Sequence, residues 1–222
     1  MEVKFKQKIT AYKYLVMFDL ASKTTGVCLY DLLQQKPVST KILKVLKTQE
    51  LQSAELLDLI DGYFNELYSK GIKKEEILVS KEAMPTQLRG GNSTVQTFIA
   101  LARSHAILDT YLFKNKIATY DYIGVYPVST HAYFKRLINA DKDYKVTKED
   151  IREYLYRLYS IEDLTLDESD SIFLAKTLVE VNWNKDINEK IKELKRHKKT
   201  LKAIHAIALV DKEIESMESM KN

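Results

Sequence analysis

The stretch from Leu15 to Tyr30, Leu-Val-Met-Phe-Asp-Leu-Ala-Ser-Lys-Thr-Thr-Gly-Val-Cys-Leu-Tyr, constrains the fold more than any other part of the chain. An apolar run reads as a buried strand, stops on a single acid, Asp19, and resumes after a short polar turn that contains Gly26. The pattern is a hairpin with a carboxylate at its exit. A charge buried without a partner is costly, so an acid that closes an apolar strand needs a donor, a cation or solvent at the strand end. Asp also caps turns by accepting from backbone amides two residues on, and Asp19 taken alone fits either use.

The 222 residues accommodate one sizeable domain with an appendage. A run of about eighteen apolar residues, long enough to cross a bilayer, is absent from the sequence. The N-terminus, Met-Glu-Val-Lys-Phe-Lys-Gln-Lys, lacks the apolar centre of a secretory signal, so the expected location is the cytoplasm. A lone cysteine, Cys28, inside a predicted strand, excludes a disulfide framework and a cysteine zinc site and is expected in the core. The net charge of +4 is compatible with a nucleic-acid partner without establishing one. Fourteen tyrosines beside thirty-five Lys and Arg suit both base stacking and phosphate contact.

Tyr12 to Asp19, Gly26 to Asp31 and Val38 to Lys47 read as three strands, most simply an antiparallel meander. Glu50 to Lys70 carries Leu56, Leu59, Ile60, Tyr63 and Leu67 at helical spacing and ends at Lys70-Gly71. Ile77 to Lys81 is a short apolar strand that, like the first, stops on an acid, Glu82, ahead of Pro85 and an Arg89-Gly90-Gly91 loop. Ser93 stands where it caps a helix to about Asn115, apolar on two sides through Val95, Phe98, Ile99, Ala102, Ala106 and Leu108. Two apolar sides call for two partners, the sheet and a second copy of the chain, so a homodimer is expected.

Tyr120 to Tyr126 reads as a further buried strand and Thr130 to Ile138 as a helix, and Thr147-Lys148-Glu149-Asp150 caps a helix to Tyr159. Leu166 to Trp183 is a helix with Asp167, Glu168 and Asp170 in its first turn, where the helix dipole favours acids. From Asn184 the composition becomes lysine-rich and stays helical to near Met217. The chain therefore divides into a domain over 1–183 and a basic helical extension over 184–222, which docks on the domain, pairs with its copy or presents a basic face to DNA.

The order β-β-β-α-β-α-β-α, with acids ending the first and fourth strands and an Asp-x-x-Asp pair opening a late helix, is more specific than any one acid. With the first and fourth strands adjacent, Asp19 and Glu82 lie side by side, and Asp167 and Asp170 share a helix face. Carboxylates gathered in this way repel unless a cation holds them, and oxygen-only ligation selects Mg2+ or Mn2+. Two such ions, about 3.5–4 Å apart, suit in-line phosphodiester hydrolysis.

Taken together, Phe18-Asp-Leu-Ala-Ser-Lys-Thr-Thr-Gly26, Ser80-Lys-Glu-Ala83 and Asp167-Glu-Ser-Asp-Ser-Ile-Phe-Leu-Ala175 resemble the acidic motifs of RuvC-type Holliday-junction resolvases, with the phage-encoded branch nearest in character. These are dimeric nucleases of the ribonuclease H-like superfamily, and the similarity spans Tyr12 to Val181. It implies a mixed five-stranded α/β sheet flanked by helices, with Asp19, Glu82, Asp167 and Asp170 as ligands of two Mg2+ or Mn2+ ions. It implies branched DNA, four-way junctions above all, as the partner of a homodimer. Lys148 matches the family's basic catalytic residue, with Lys145 a competing candidate. The chain departs from the family at Met84-Pro85, in place of an aromatic wedge, and at Ser129, Thr130 and His131, in place of a second lysine. An Asp, a polar turn and a glycine also open the phosphate loop of sugar kinases and actin-like ATPases. Those proteins need two such domains and a second glycine-rich loop, and six glycines leave little room for one. A third reading is a junction-binding protein without catalysis.

Overall fold

The computed structural model describes residues 8–47, 51–85, 95–121, 124–200 and 204–220. Its strands are β1 (Tyr14–Asp19), β2 (Thr24–Asp31), β3 (Lys36–Lys44), β4 (Ile77–Lys81) and β5 (Ala118–Thr119). Its helices are α1 (Gln52–Ser69), α2 (Val95–Lys114), α3 (Pro127–Leu137), α4 (Lys148–Tyr159), α5 (Leu166–Thr200) and α6 (Ile204–Ser219). The sheet runs β3-β2-β1-β4-β5, antiparallel among the first three strands and parallel from β1 to β4 and β4 to β5. The first and fourth strands are thus neighbours, as the meander followed by a helical crossover requires.

Alternation along the strands divides the core. Leu15, Met17, Cys28, Tyr30 and Leu78 pack with α3, α4 and α5, whereas Val16, Phe18, Val27, Leu29, Ile77 and Val79 pack with α1 and α2. Continuing that alternation puts Asp19 and Glu82 on the α5 side and Lys81 on the α2 side. Lys81 is accordingly buried against α2, where it meets Asp109 at 2.5 Å. The middle of α5 is buried nearly all round, from Ile172 to Val179, because the sheet covers one side and α3 and α4 the other. Phe134 of α3 and Tyr154 of α4 meet Phe173 of α5 edge-on, joining the three helices.

Of the expected strand over Tyr120–Tyr126, residues 122 and 123 lie outside the described residues; the two-residue β5 ends just before the span, and within its described part Val125 forms an isolated parallel bridge with Glu82. Gly124 explains the interruption: its φ of +91° departs from extended backbone, and a Cβ there would stand 2.3 Å from the Lys81 carbonyl oxygen. Helix α3 begins earlier than expected, at Pro127, whose missing N–H costs nothing in a first turn. The expected caps at Ser93 and the Arg89-Gly90-Gly91 loop lie outside the described residues.

Helix α5 continues without a break through residue 183 to Thr200. Its second half buries Ile187, Ile191 and Leu194, and Val210 and Ile214 of α6 join the same cluster. Asp186 accepts from the Ile9 amide at 2.7 Å, and the Trp183 indole donates to the Met220 carbonyl at 2.9 Å. Ile9 precedes β1, so this helical pair closes the end of the sheet opposite Asp19.

Gly26 pairs with Asp19 across the β1–β2 hairpin, and a Cβ on it would stand 2.3 Å from the Asp167 carbonyl oxygen. The first turn of α5 therefore rests directly on the hairpin, and only a glycine permits it. Gly26→Ala is expected to push that turn away and cost about 1–3 kcal/mol in urea unfolding. Gly62→Ala in α1, where a Cβ meets nothing within 4 Å, is expected to stabilise by about 1 kcal/mol. Equal effects of the two substitutions would contradict the close approach.

Candidate metal centre

The parallel register of β1 and β4 ends with Phe18 opposite Lys81, and the Glu82 amide donates to the Phe18 carbonyl at 2.8 Å. Asp19 and Glu82 therefore leave the sheet side by side, and their carboxyl groups hydrogen-bond each other. Helix α5 brings the other two acids. Thr165 caps it by accepting from the Glu168 amide at 3.2 Å, while the Glu168 carboxylate accepts from the Thr165 amide at 3.0 Å and from the Thr40 hydroxyl at 3.0 Å. Glu168 is thus spent on fixing the helix start to β3. Asp167 and Asp170 take no part in that cap, and carboxylate oxygens of Asp19, Asp167 and Asp170 lie within 4.8 Å of one another.

Asp19, Glu82 and Asp170 share a cavity of about 290 Å³ that Thr130, His131 and Lys148 also line, over an apolar floor that includes Ile151 and Phe173. Lys148, in the first turn of α4, reaches Asp170 at 2.5 Å and Asp167 at 3.7 Å. Lys145 is exposed and forms no ion pair among the described residues. The structure therefore brings Lys148, and not Lys145, to the carboxylates. Of the four acids expected from the sequence, Asp19, Asp167 and Asp170 come within 4.8 Å of one another, and Glu82 lines the cavity with Asp19 and Asp170. The lining contributed by Thr130 and His131 was legible only as a departure from a lysine pattern, and His131 in its charged form favours ionised Asp170.

Burial, the Asp19 charge and the Asp170 charge push the Glu82 carboxyl up to about 8. Burial and the Asp170 charge push Asp19 up to about 6, against a hydrogen bond from Glu82. Burial also raises Asp170, in spite of Lys148. The apolar floor and like charges thus leave the pocket short of positive charge, and a shared proton holds Asp19 and Glu82 together. The donor set is all oxygen and anionic, which fits a hard divalent cation held among Asp19, Asp167 and Asp170.

Both carboxyls lie above their ordinary values of 3.8 and 4.5 in the folded chain. Without metal, the stability they contribute is complete below those values and is lost as pH rises through about 6 and then 8. Chelator-treated protein is expected to unfold at lower urea at pH 8.5 than at pH 5, and Glu82→Gln is expected to flatten that fall. At pH 8.5, Mn2+ at about a hundred times its dissociation constant is expected to restore about 2.7 kcal/mol. An equal restoration in Asp19→Asn would place the ion elsewhere.

No protein-family model and no curated protein sequence matches the chain. Among solved structures, Thermus thermophilus RuvC in complex with Holliday junction substrate superposes with a TM-score of 0.52 at 9% identity, over 75% of this chain and 92% of that one. A second Thermus thermophilus RuvC structure gives 0.51 at 9% identity, over 74% and 92%. The chain has the ribonuclease H-like fold of RuvC, a mixed five-stranded sheet flanked by helices.

Proposed function

We propose that the protein is a divalent-metal-dependent endonuclease that nicks branched DNA, four-way junctions and related forks in particular, as a homodimer. The observation that carries this reading is the approach of Asp19, Asp167 and Asp170 to within 4.8 Å of one another, beside a pocket that Asp19, Glu82, Asp170 and Lys148 line together. The similar fold of a RuvC that was captured on a Holliday junction supports the choice of substrate. Val95 and Ile99 on the exposed side of α2 support pairing of two copies, since each is more than two-fifths exposed.

Asp19, Glu82, Asp167 and Asp170 hold Mg2+ or Mn2+, two ions per site. When bound, these ions supply activation of water and stabilisation of the leaving oxygen. The chain's own residues do the rest. Burial and like charges hold the Asp19 and Glu82 carboxyls above their ordinary range, so a cation held there would favour their ionised forms. Thr165 and Glu168 fix the first turn of α5, which keeps Asp167 and Asp170 aimed at the hairpin. Although burial works against it, Lys148 is held protonated by Asp170, and it offers a cation to a phosphate oxygen that enters the pocket. The apolar floor of Ile151 and Phe173 keeps bulk water away from one side.

Amide replacement removes one formal charge with little change of shape, and junction binding rests on contacts spread over a wider surface. Asp19→Asn and Asp170→Asn are therefore expected to retain a labelled four-way junction in a gel and to lose at least about a hundredfold in nicking rate, or about 2.7 kcal/mol. Glu82→Gln and Asp167→Asn are expected to lose less. Nicking at the unmodified rate by Asp19→Asn or Asp170→Asn would end the nuclease reading. Retention of linear duplex as strongly as of a four-way junction would end the branched-substrate part alone.

A further inference from the structure

We propose that an open groove between α3 and α5 binds the phosphate backbone of a DNA arm beside the bond to be cut, an assignment that rests on the nuclease reading above. The groove encloses about 1110 Å³ and is lined by Ser129, Ala132, Lys135, Arg136, Lys142 and Val181, among others, with no acid in its wall. It adjoins the acidic pocket through one helix: Pro127, Thr130 and His131 line the pocket, and Ser129 and Ala132 line the groove.

The cations of this groove differ from those elsewhere that are neutralised by neighbouring acids. Lys8, Lys41, Lys70, Arg157 and Lys195 each meet a glutamate within an ion pair. Arg136 and Lys142 meet no carboxylate among the described residues. Lys135 donates to the Lys142 carbonyl at 2.6 Å, which ties the loop after α3 back onto the helix, and Arg136 lies 5.8 Å from the Tyr133 ring centre. Cations at a groove wall with no acid beside them suit an extended polyanion, because binding releases the counterions that the polyanion had condensed. Asp141 and Asp143 belong to the same loop but are exposed and do not line the groove.

The spacing fits the same ligand. Val181 follows Asp170 in α5 by eleven residues, about 16 Å along the helix axis. At about 3.4 Å per nucleotide along duplex DNA, that places the groove about five phosphates from the bond at the acids. Nucleic-acid backbone is favoured over an acidic peptide by this continuity with the pocket that would take the scissile phosphate.

The test is junction binding by the full chain in chelator, between about 50 and 200 mM salt, with each phosphate contact contributing about 0.9 to the salt slope. Arg136→Ala with Lys142→Ala is expected to weaken four-way-junction binding about tenfold at the lower salt and to reduce the slope by about 1.8. The charge-preserving pair Arg136→Lys with Lys142→Arg is expected to keep the slope, and Lys190→Ala with Lys195→Ala, at the far end of α5, to leave it unchanged. A slope unaltered by the first pair, in protein that binds the junction normally, would overturn the assignment and leave these cations as partners of the α3 terminus. Failure of the unmodified chain to prefer a junction over linear duplex would instead overturn the reading on which the assignment rests, and the assignment with it.

Discussion

Mutual repulsion among carboxylates at the end of two adjacent strands is the constraint to which the rest of the structure answers. Asp19 and Glu82 leave neighbouring parallel strands on the same face, and Asp167 and Asp170 arrive from the first turn of a helix laid across them. Without a cation, the group survives through a shared proton and one lysine, Lys148. Such an arrangement costs stability and is kept in place by packing around it: the buried length of α5, the Phe134–Phe173–Tyr154 cluster and the Thr165–Glu168 cap. Strain gathered at one edge and offset by packing elsewhere is the expected signature of a functional site.

The strand period sorts the charges at this edge. Lys81 and Glu82 are consecutive, yet one points to α2 and the other to the acidic pocket. A lysine on the same face as Glu82 would neutralise the pocket that a divalent ion is to fill. Lys81, buried behind the sheet, instead meets the half-buried Asp109, which joins α2 to the end of β4. A one-residue slip in the register of β4 would exchange the two residues and abolish the site.

Asp19 and Glu82 were legible because each interrupts an apolar run, and Asp167 and Asp170 because acids three apart share a helix face. Sheet order followed from a meander and one helical crossover. The failures are local. Tyr120 to Tyr126 is rich in strand formers, and Gly124 at positive φ overrides them at close approach to Lys81. Gly26 read as a turn residue, whereas its role is to admit α5, a contact between parts of the chain some 140 residues apart that no local pattern reveals. The helix boundary at Trp183 followed the change to a lysine-rich composition, whereas α5 runs across it to Thr200 on the same helical period of Ile187, Ile191 and Leu194. Selection between Lys145 and Lys148 needed the cap of α4, since the first turn of that helix aims Lys148 at Asp170.

Location of the cation tests the central claim most directly. Crystals of the protein soaked in Mn2+ and measured at the manganese absorption edge are expected to show anomalous density between the carboxylates of Asp19 and Asp170, with Lys148 displaced from Asp170. Anomalous density confined to other surface acids, with Lys148 still paired to Asp170 and the proton-sharing geometry of Asp19 and Glu82 intact, would contradict it.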